Sequence, residues 1–324
     1  MVKSISKTPI TRAIAAQIAH DAFGDVRLLG TAECTEGMFN AVHLLTMADG
    51  RQAILKVAPP PDVAVLRYEH DIMAAEVAVM RLVADRTAVP IARVLWQDTS
   101  CTRVPSDLFL MEALPGDLLN GLRSGLSADQ QQRIDVHIAT SLREINALTR
   151  AGFGLAAPSA PVFERWSDAF TRMVDDVLAD GEAAAVTLPV AADRVRAVVR
   201  NAADLLDEVT EARLVHWDLW DGNVLVDPVG GRVTGLIDFE RALWGDPVME
   251  LQFRSAALDP AFADAYGSRP LDVDGARQRR LLYDLYLFLV MVIEVAYRQY
   301  PTDDMDRYSR HHLDRTLQAL GLSA

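Results

Sequence analysis

Cysteine and lysine are scarce in this 324-residue chain, which has two cysteines, Cys34 and Cys101, and three lysines, Lys3, Lys7 and Lys56, against 29 arginines. Two cysteines far apart in sequence and outside any metal-ligand spacing argue against both a disulfide framework and a zinc site, and fit a reducing cytoplasm. A membrane-spanning run is missing too. The longest purely apolar stretch near the C-terminus, LYLFLVMVI (285–293), is about half of what a span needs and is followed by Glu294, so a buried helix is expected there. The N-terminal region lacks a clean secretory core, because Arg12, His20 and Asp21 interrupt it. Thr8 before Pro9 reads instead as an N-cap followed by a first-turn proline. Basic excess is also absent: the formal net charge of −13 argues against a general nucleic-acid binder and is compatible with a cationic small substrate.

What is present is a core-forming composition. Half of the residues are hydrophobic, and a chain of this length can bury roughly three quarters of its unfolded surface, in about two domains. Residues 26–57 hold three strand-like stretches, VRLLG, FNAVHLLTM and QAILKVA, with the turn ADG between the second and third, as in a meander. After the proline run at 59–61, DIMAAEVAVMRLVAD (71–85) has helical apolar spacing. ARVLW and DLFLMEAL return to strand composition, and LPG (114–116) follows at once. From about residue 127 the pattern is mostly helical. No internal repeat or low-complexity segment is evident. This predicts a β-rich first lobe and an α-rich second lobe hinged near residues 112–117, and clefts between domains favour ligands.

A chain so sparing of lysine still places Lys56 inside the apolar strand AILKVA. A buried ammonium is costly unless anions surround it, and a phosphate ligand together with Glu76 of the following helix would do so. The alternative is a strand-end lysine whose tip reaches solvent. The stretch LVHWDLWDGNVLVDPVGGRVTGLIDFE (214–240) raises the same question more sharply, because Asp218 and Asn223 are separated by four residues and Asp238 follows a second apolar strand. Phosphoryl transfer from a nucleotide needs a carboxylate near the attacking hydroxyl, oxygen ligands for magnesium and a cation on the phosphates. Isolated Asp and Asn residues are usually turn formers or caps, which suits Asp221, Asp227 and Asp246, but explains the joint pattern poorly.

HWDLWDGNVLVD followed by GLIDFERALWGDP resembles the catalytic loop and metal-binding segment of the aminoglycoside phosphotransferases and related small-molecule kinases. The resemblance extends through EGMFNAVHLL, AILKV, Glu76 and LFLMEALPG, over about residues 24–255. It implies an α+β, protein-kinase-like, two-lobed fold: an N-lobe of antiparallel sheet plus helix (1–112) that binds nucleotide, and a mostly helical C-lobe (113–324) with the catalytic loop and substrate pocket. By this resemblance Asp218 is the catalytic base, Asn223 and Asp238 bind magnesium, and Lys56 contacts the phosphates while paired with Glu76. Met111 would lie at the back of the nucleotide pocket, with the Glu112 carbonyl and the Leu114 amide meeting the adenine. His216 would be a structural member of the loop. Trp217 stands where this family more often has glycine, DLW (218–220) is also similar to fructosamine kinases, and no G-x-G-x-x-G is present, so GTAECTEGMFN (30–40) would cover the phosphates by another turn.

The expected activity is therefore transfer of a phosphoryl group from ATP or GTP to a hydroxyl of a small molecule, with magnesium. An amine-bearing antibiotic such as an aminoglycoside is the expected acceptor, contacted by Glu240, Asp246 and Glu250, with DDVLADGE (175–182) as a further acidic cluster. The alternatives are a metabolite kinase similar to fructosamine or choline kinases and a catalytically dead nucleotide-binding module. A protein kinase fits poorly, because GDPVMELQFR follows Asp238 too soon for a long activation segment.

Overall fold

The computed structural model of the chain describes residues 6–35, 37, 39–254 and 259–322. Helix α1 (Arg12–Phe23) begins later than the Thr8–Pro9 pair predicts. Its N-cap is Thr11, whose hydroxyl accepts from the Ile14 amide at 3.2 Å, whereas the buried Thr8 donates its hydroxyl to the Ala58 carbonyl at 2.7 Å. A hydroxyl engaged by the end of a neighbouring strand is not free to cap a helix.

Strands β1 (Leu28–Glu33), β2 (Ala41–Met47) and β3 (Gln52–Val57), helix α2 (Ile72–Arg86), and strands β4 (Val94–Asp98) and β5 (Leu108–Glu112) complete the N-terminal part. The strands form one antiparallel sheet in the order β1-β2-β3-β5-β4. Side-chain alternation sorts its two faces. Ala53, Leu55 and Val57 pack with Leu108 and Leu110 against Ala15 and Ile18 of α1. Ile54 and Lys56 are on the opposite face, where Phe109 and Met111 join Met73, Val77 and Met80 of α2. In the segment 30–40, Glu36 and Met38 lie outside the described residues.

The chain then passes through β6 (Asp117–Leu118), α3 (Leu119–Leu122), α4 (Ala128–Asn146), β7 (Thr149–Arg150), β8 (Gly154–Leu155), α5 (Trp166–Ala183), α6 (Ala192–Asn201) and α7 (Ala203–Leu206). It ends in β9 (Ala212–Val215), β10 (Val224–Asp227), β11 (Arg232–Leu236), β12 (Leu243–Gly245), α8 (Pro260–Tyr266), α9 (Ala276–Arg298) and α10 (Asp304–Ala319). β10 and β11 are the hairpin read from the sequence, with β6 added on the β10 edge; β9 and β12 belong to a separate four-stranded sheet. Gly116, at φ +114, lets the connecting chain pass close to β10: a Cβ there would lie 2.6 Å from the Val226 carbonyl oxygen.

The C-terminal core is built on aromatic side chains, with Trp166 donating its indole N–H to the Tyr283 hydroxyl at 2.8 Å and Phe170 packed edge-on to Tyr283 and Tyr286. LYLFLVMVI is buried within α9. Among the described residues no helix is long and apolar enough to cross a membrane. The molecule thus has the α+β, two-lobed, kinase-like fold.

Candidate active site

The site forms where the sheet, α2 and the β10–β11 hairpin converge. Lys56 is next to last in β3, and its side chain is 6% exposed. Its ammonium lies 2.6 Å from Asp238 Oδ1, 2.7 Å from Glu76 Oε2 and 2.9 Å from Glu240 Oε2. The strand-end alternative, with the amine in solvent, does not hold for this lysine. Burial works against its charge, yet the Asp238, Glu240 and Glu76 carboxylates outweigh that effect and raise its pKa well above the ordinary value. The carboxylates share this single ammonium unequally. Burial opposes the charge of Asp238 too, but Lys56 lowers its pKa, whereas burial and the neighbouring anions leave Glu76 and Glu240 raised.

Local backbone geometry aims these groups. Asp238 has φ +68, a left-handed conformation that turns the chain sharply after β11 into a short 3-10 turn, Phe239–Arg241, packed on α2. The Ile237 amide donates to the Asn223 carbonyl at 3.1 Å, and Asn223 Nδ2 donates to the Asp218 carbonyl at 2.8 Å. These bonds hold Asp218, Asn223 and Asp238 on one rigid loop-and-hairpin unit. With its amide nitrogen so engaged, the side-chain oxygen of Asn223 is its available ligand atom. Burial raises the Asp218 pKa to about 7, against the lowering effect of Arg241.

His216 and Trp217 brace this unit. His216 is fully buried, with Nε2 3.1 Å from the Ile237 carbonyl and Nδ1 accepting from the Asp218 amide at 3.3 Å. Burial lowers its pKa to about 4, so it is neutral at pH 7. Trp217 is buried at φ +56, stacks on Tyr286 at 5.0 Å between ring centroids, and donates Nε1–H to Gln252 at 2.7 Å. A bulky residue in the left-handed region is strained by about 1–3 kcal/mol, and the packing of its indole offsets that strain.

The three carboxylates expected to meet an acceptor have other partners. Glu240 is 9% exposed and accepts from Lys56 and, at 2.5 Å, from Asn40 Nδ2. Asp246 does not join the site: it N-caps the turn starting at Pro247 and accepts from Arg279 Nε and the Tyr283 hydroxyl, both at 2.8 Å. Glu250 turns back to the loop after β9, accepting from the His216 amide at 2.5 Å and the Trp217 amide at 3.3 Å. In the 175–182 segment, Asp175 and Glu182 pair with Arg196, Asp176 with Arg172, and Asp180 with Arg67. The hinge residues follow the strand: Met111 is 8% exposed, Glu112 pairs across the sheet with Ala53, and Leu114 lies over Gly235.

Several residues carry no local sequence signal for the contacts they make. Asn40 reaches Glu240, and Arg241 pairs with Glu294 of α9 at 3.1 Å. Arg254 donates to the Leu219 carbonyl and, at 2.9 Å, to Asp221, which Arg123 also engages. Beside the loop between β9 and β10 an open cavity of about 1140 Å³ is lined by Trp220, Asp221, Arg123, Asp135 and Asp259, and Lys56 is not among its lining residues.

The arrangement suits a hard cation and phosphates. Glu76, Asp238 and Glu240 each offer an oxygen, all within 4.8 Å of one another, and the buried Glu76 Oε1 has no hydrogen-bond partner. Oxygen-only ligands fit magnesium, while Lys56 is placed to exchange part of its carboxylate contact for phosphate.

Comparison with known proteins bears on the family and the fold. The model of the phosphotransferase enzyme family matches residues 33–283. A subtelomeric hrmA-associated cluster protein of Aspergillus fumigatus is 30% identical over 115 residues, covering 35% of this chain and 22% of that protein. The chain therefore matches less than a quarter of the length of the curated relatives it resembles. Among solved structures, a thermostable variant of aminoglycoside phosphotransferase APH(4)-Ia in ternary complex with AMP-PNP and hygromycin B superposes with a TM-score of 0.62. It is 20% identical, and the alignment covers 94% of this chain and 98% of that one. APH(2″)-IIIa with GDP and kanamycin gives 0.65 at 17% identity, covering 94% and 98%. A candidate fructosamine-3-kinase of Thermobifida fusca gives 0.65 at 18% identity, covering 94% and 97%. At these identities the likeness speaks to the fold.

Proposed function

This chain belongs to the phosphotransferase enzyme family, and from that premise we propose that it is a small-molecule kinase that transfers the γ-phosphoryl group of ATP or GTP to a hydroxyl of a small acceptor, with magnesium. The observation that carries this reading is the Lys56 ammonium held by Glu76 and Asp238 at the head of the loop that bears Asp218 and Asn223.

In this proposal Lys56 binds the donor phosphates and Glu76 orients it. Asp238 and Asn223 would hold magnesium, which supplies charge neutralisation on the phosphates when bound. Asp218 accepts the acceptor's hydroxyl proton and orients that oxygen for in-line attack. Residues 1–112 form the nucleotide-binding lobe, with Met111 behind the base and the Glu112 carbonyl and Leu114 amide facing it. Residues 113–324 carry the catalytic loop and the acceptor pocket.

For the acceptor we favour an amine-bearing, hydroxylated molecule, of which aminoglycoside antibiotics are one class. Support comes from the net charge of −13 and from the cavity beside the catalytic loop, where Asp129, Asp135, Asp221 and Asp259 outnumber Arg123 and Arg254. With Glu240, Asp246 and Glu250 engaged within the fold, that cavity is the better place for a cationic group. A metabolite kinase similar to fructosamine kinases is the second reading, favoured by Trp220, whose partly exposed indole offers a stacking face for a sugar ring.

The test is nucleoside diphosphate formation from ATP and from GTP, with magnesium, across amine-bearing antibiotics and neutral sugar derivatives. Acceptor-dependent turnover that falls by about 10² to 10⁴ in Asp218→Asn is expected. Turnover with neutral acceptors alone would overturn the acceptor class, and no turnover or nucleotide binding with any donor would overturn the kinase reading.

A further inference from the structure

The last turn of α9 contacts two N-terminal segments that flank Lys56. Arg298 is 7% exposed, and its guanidinium lies 4.1 Å from the centroid of the Phe39 ring. The same guanidinium donates to Glu69, whose other carboxylate oxygen accepts from the Leu66 amide at 2.8 Å. One turn earlier Glu294 pairs with Arg241 at 3.1 Å and accepts from the Tyr300 hydroxyl at 3.3 Å.

Each contact leads back to the ammonium at the head of the site. Phe39 precedes Asn40, which donates to Glu240 at 2.5 Å, and Glu240 accepts from Lys56. Glu69 ends the short turn that leads into α2, and α2 presents Glu76 to Lys56. Arg241 is the chain neighbour of Glu240. A single helical turn therefore braces the Phe39–Asn40 segment, the approach to α2 and the turn after Asp238.

We propose that Arg298 is a positioning residue for the phosphoryl donor: by clamping Phe39 and Glu69 onto α9 it fixes Asn40 and Glu76 around Lys56 in the geometry that receives the nucleotide phosphates. This role presupposes that the site binds a nucleotide. Arginine suits it better than lysine, because its planar guanidinium can lie flat on Phe39 while donating to Glu69, whereas an ammonium offers a point charge. The guanidinium is also desolvated here, where both contacts are stronger than at a surface.

The experiment measures magnesium-nucleotide affinity by calorimetry, hydrogen exchange at residues 39–47 without nucleotide, and both KM values, for the full chain and for Arg298→Met, Arg298→Lys and Phe39→Leu. Arg298→Met is expected to weaken nucleotide binding at least tenfold, to speed exchange in 39–47, and to change the acceptor KM less than twofold. Arg298→Lys should fall between it and the parent, because the charge on Glu69 survives and the flat stack does not. Phe39→Leu removes the stack while leaving the Arg298–Glu69 pair, and serves if Arg298→Met fails to fold; a threefold or greater loss of nucleotide affinity is expected from it. Variants that fold and keep the parent's nucleotide affinity would overturn the positioning role, as would equal losses in both KM values. A parent chain that binds no nucleotide would instead overturn the donor site itself.

Discussion

Lys56 and Asp238 stand 182 positions apart in the chain and meet at 2.6 Å, the ammonium arriving from the sheet and the carboxylate from the left-handed turn after β11. Glu76 and Glu240 complete the shell, so three carboxylates face one cation. The excess of negative charge ties the fold of this region to its chemistry, because whatever removes the cation leaves buried anions behind.

Lys56→Met should therefore destabilise the chain without nucleotide, in addition to any loss of activity. Breaking a buried pair costs about 3–5 kcal/mol, and the lower end applies here because Glu76 and Glu240, with raised pKa values, can take up protons. Chemical denaturation should show this loss, and the double variant Lys56→Met/Glu240→Gln should recover part of it. An unchanged midpoint in Lys56→Met would mean that the carboxylates do not depend on the lysine.

Asp218→Asn should lower turnover by about 10² to 10⁴, the usual contribution of a positioned base, because the amide keeps the size of the side chain but cannot accept the acceptor's proton. The Asn223 bond to the Asp218 backbone carbonyl is untouched by the substitution, so nucleotide affinity should stay within about twofold. Near-parent turnover would assign the base elsewhere.

Asp238→Ala should abolish the magnesium dependence of nucleotide binding, since it removes the carboxylate that sits on Lys56 and beside Asn223. Glu240→Gln is informative alongside it. Sequence proximity to Asp238 suggested an acceptor contact, whereas Glu240 is bonded to Lys56 and Asn40, which puts it on the donor side of the proposed site. Its substitution should raise the nucleotide KM more than the acceptor KM, and the opposite order would return Glu240 to the acceptor.

How far the sequence could be read depended on whether a residue's direction is set locally or by distant packing. The hairpin around Asp218 and Asp238 was legible because β10 and β11 are short alternating strands joined by a glycine turn, and the turn geometry fixes where their ends point. Lys56 was legible in part: a lysine inside an apolar strand either reaches solvent at the strand end or has anions near it, and Glu76, one helix away, was the candidate anion. Asp246 was legible as a cap before Pro247, which it is, but its bond to Arg279, 33 residues further on in α9, was not, and neither was the return of Glu250 over 34 residues to the His216 amide, because these partners are set by packing. Thr8 failed as a cap for the same reason, the Ala58 carbonyl being 50 residues away. The hold of Arg298 on Glu69 spans 229 residues and leaves no local trace.

Trp217 sets two effects of opposite sign against each other, and their sizes predict which prevails. Its backbone, at φ +56, favours glycine, so Trp217→Gly should recover about 1 kcal/mol or somewhat more of strain. Its indole is fully buried, stacked on Tyr286 at 5.0 Å, set edge-on to Tyr68 at 6.3 Å and hydrogen-bonded to Gln252. Removing a buried tryptophan costs about 3–5 kcal/mol, with a further penalty if Gln252 is left without its donor. Gln252 is only half-buried, so water can reach the vacated oxygen, which limits that penalty. The cavity should therefore win, leaving the glycine variant about 2–4 kcal/mol less stable by urea denaturation. Because Trp217 precedes Asp218, turnover should fall more than nucleotide affinity, as the catalytic loop loses its packing against α9. A glycine variant as stable as the parent would show that strain at this position equals the whole packing contribution of the indole.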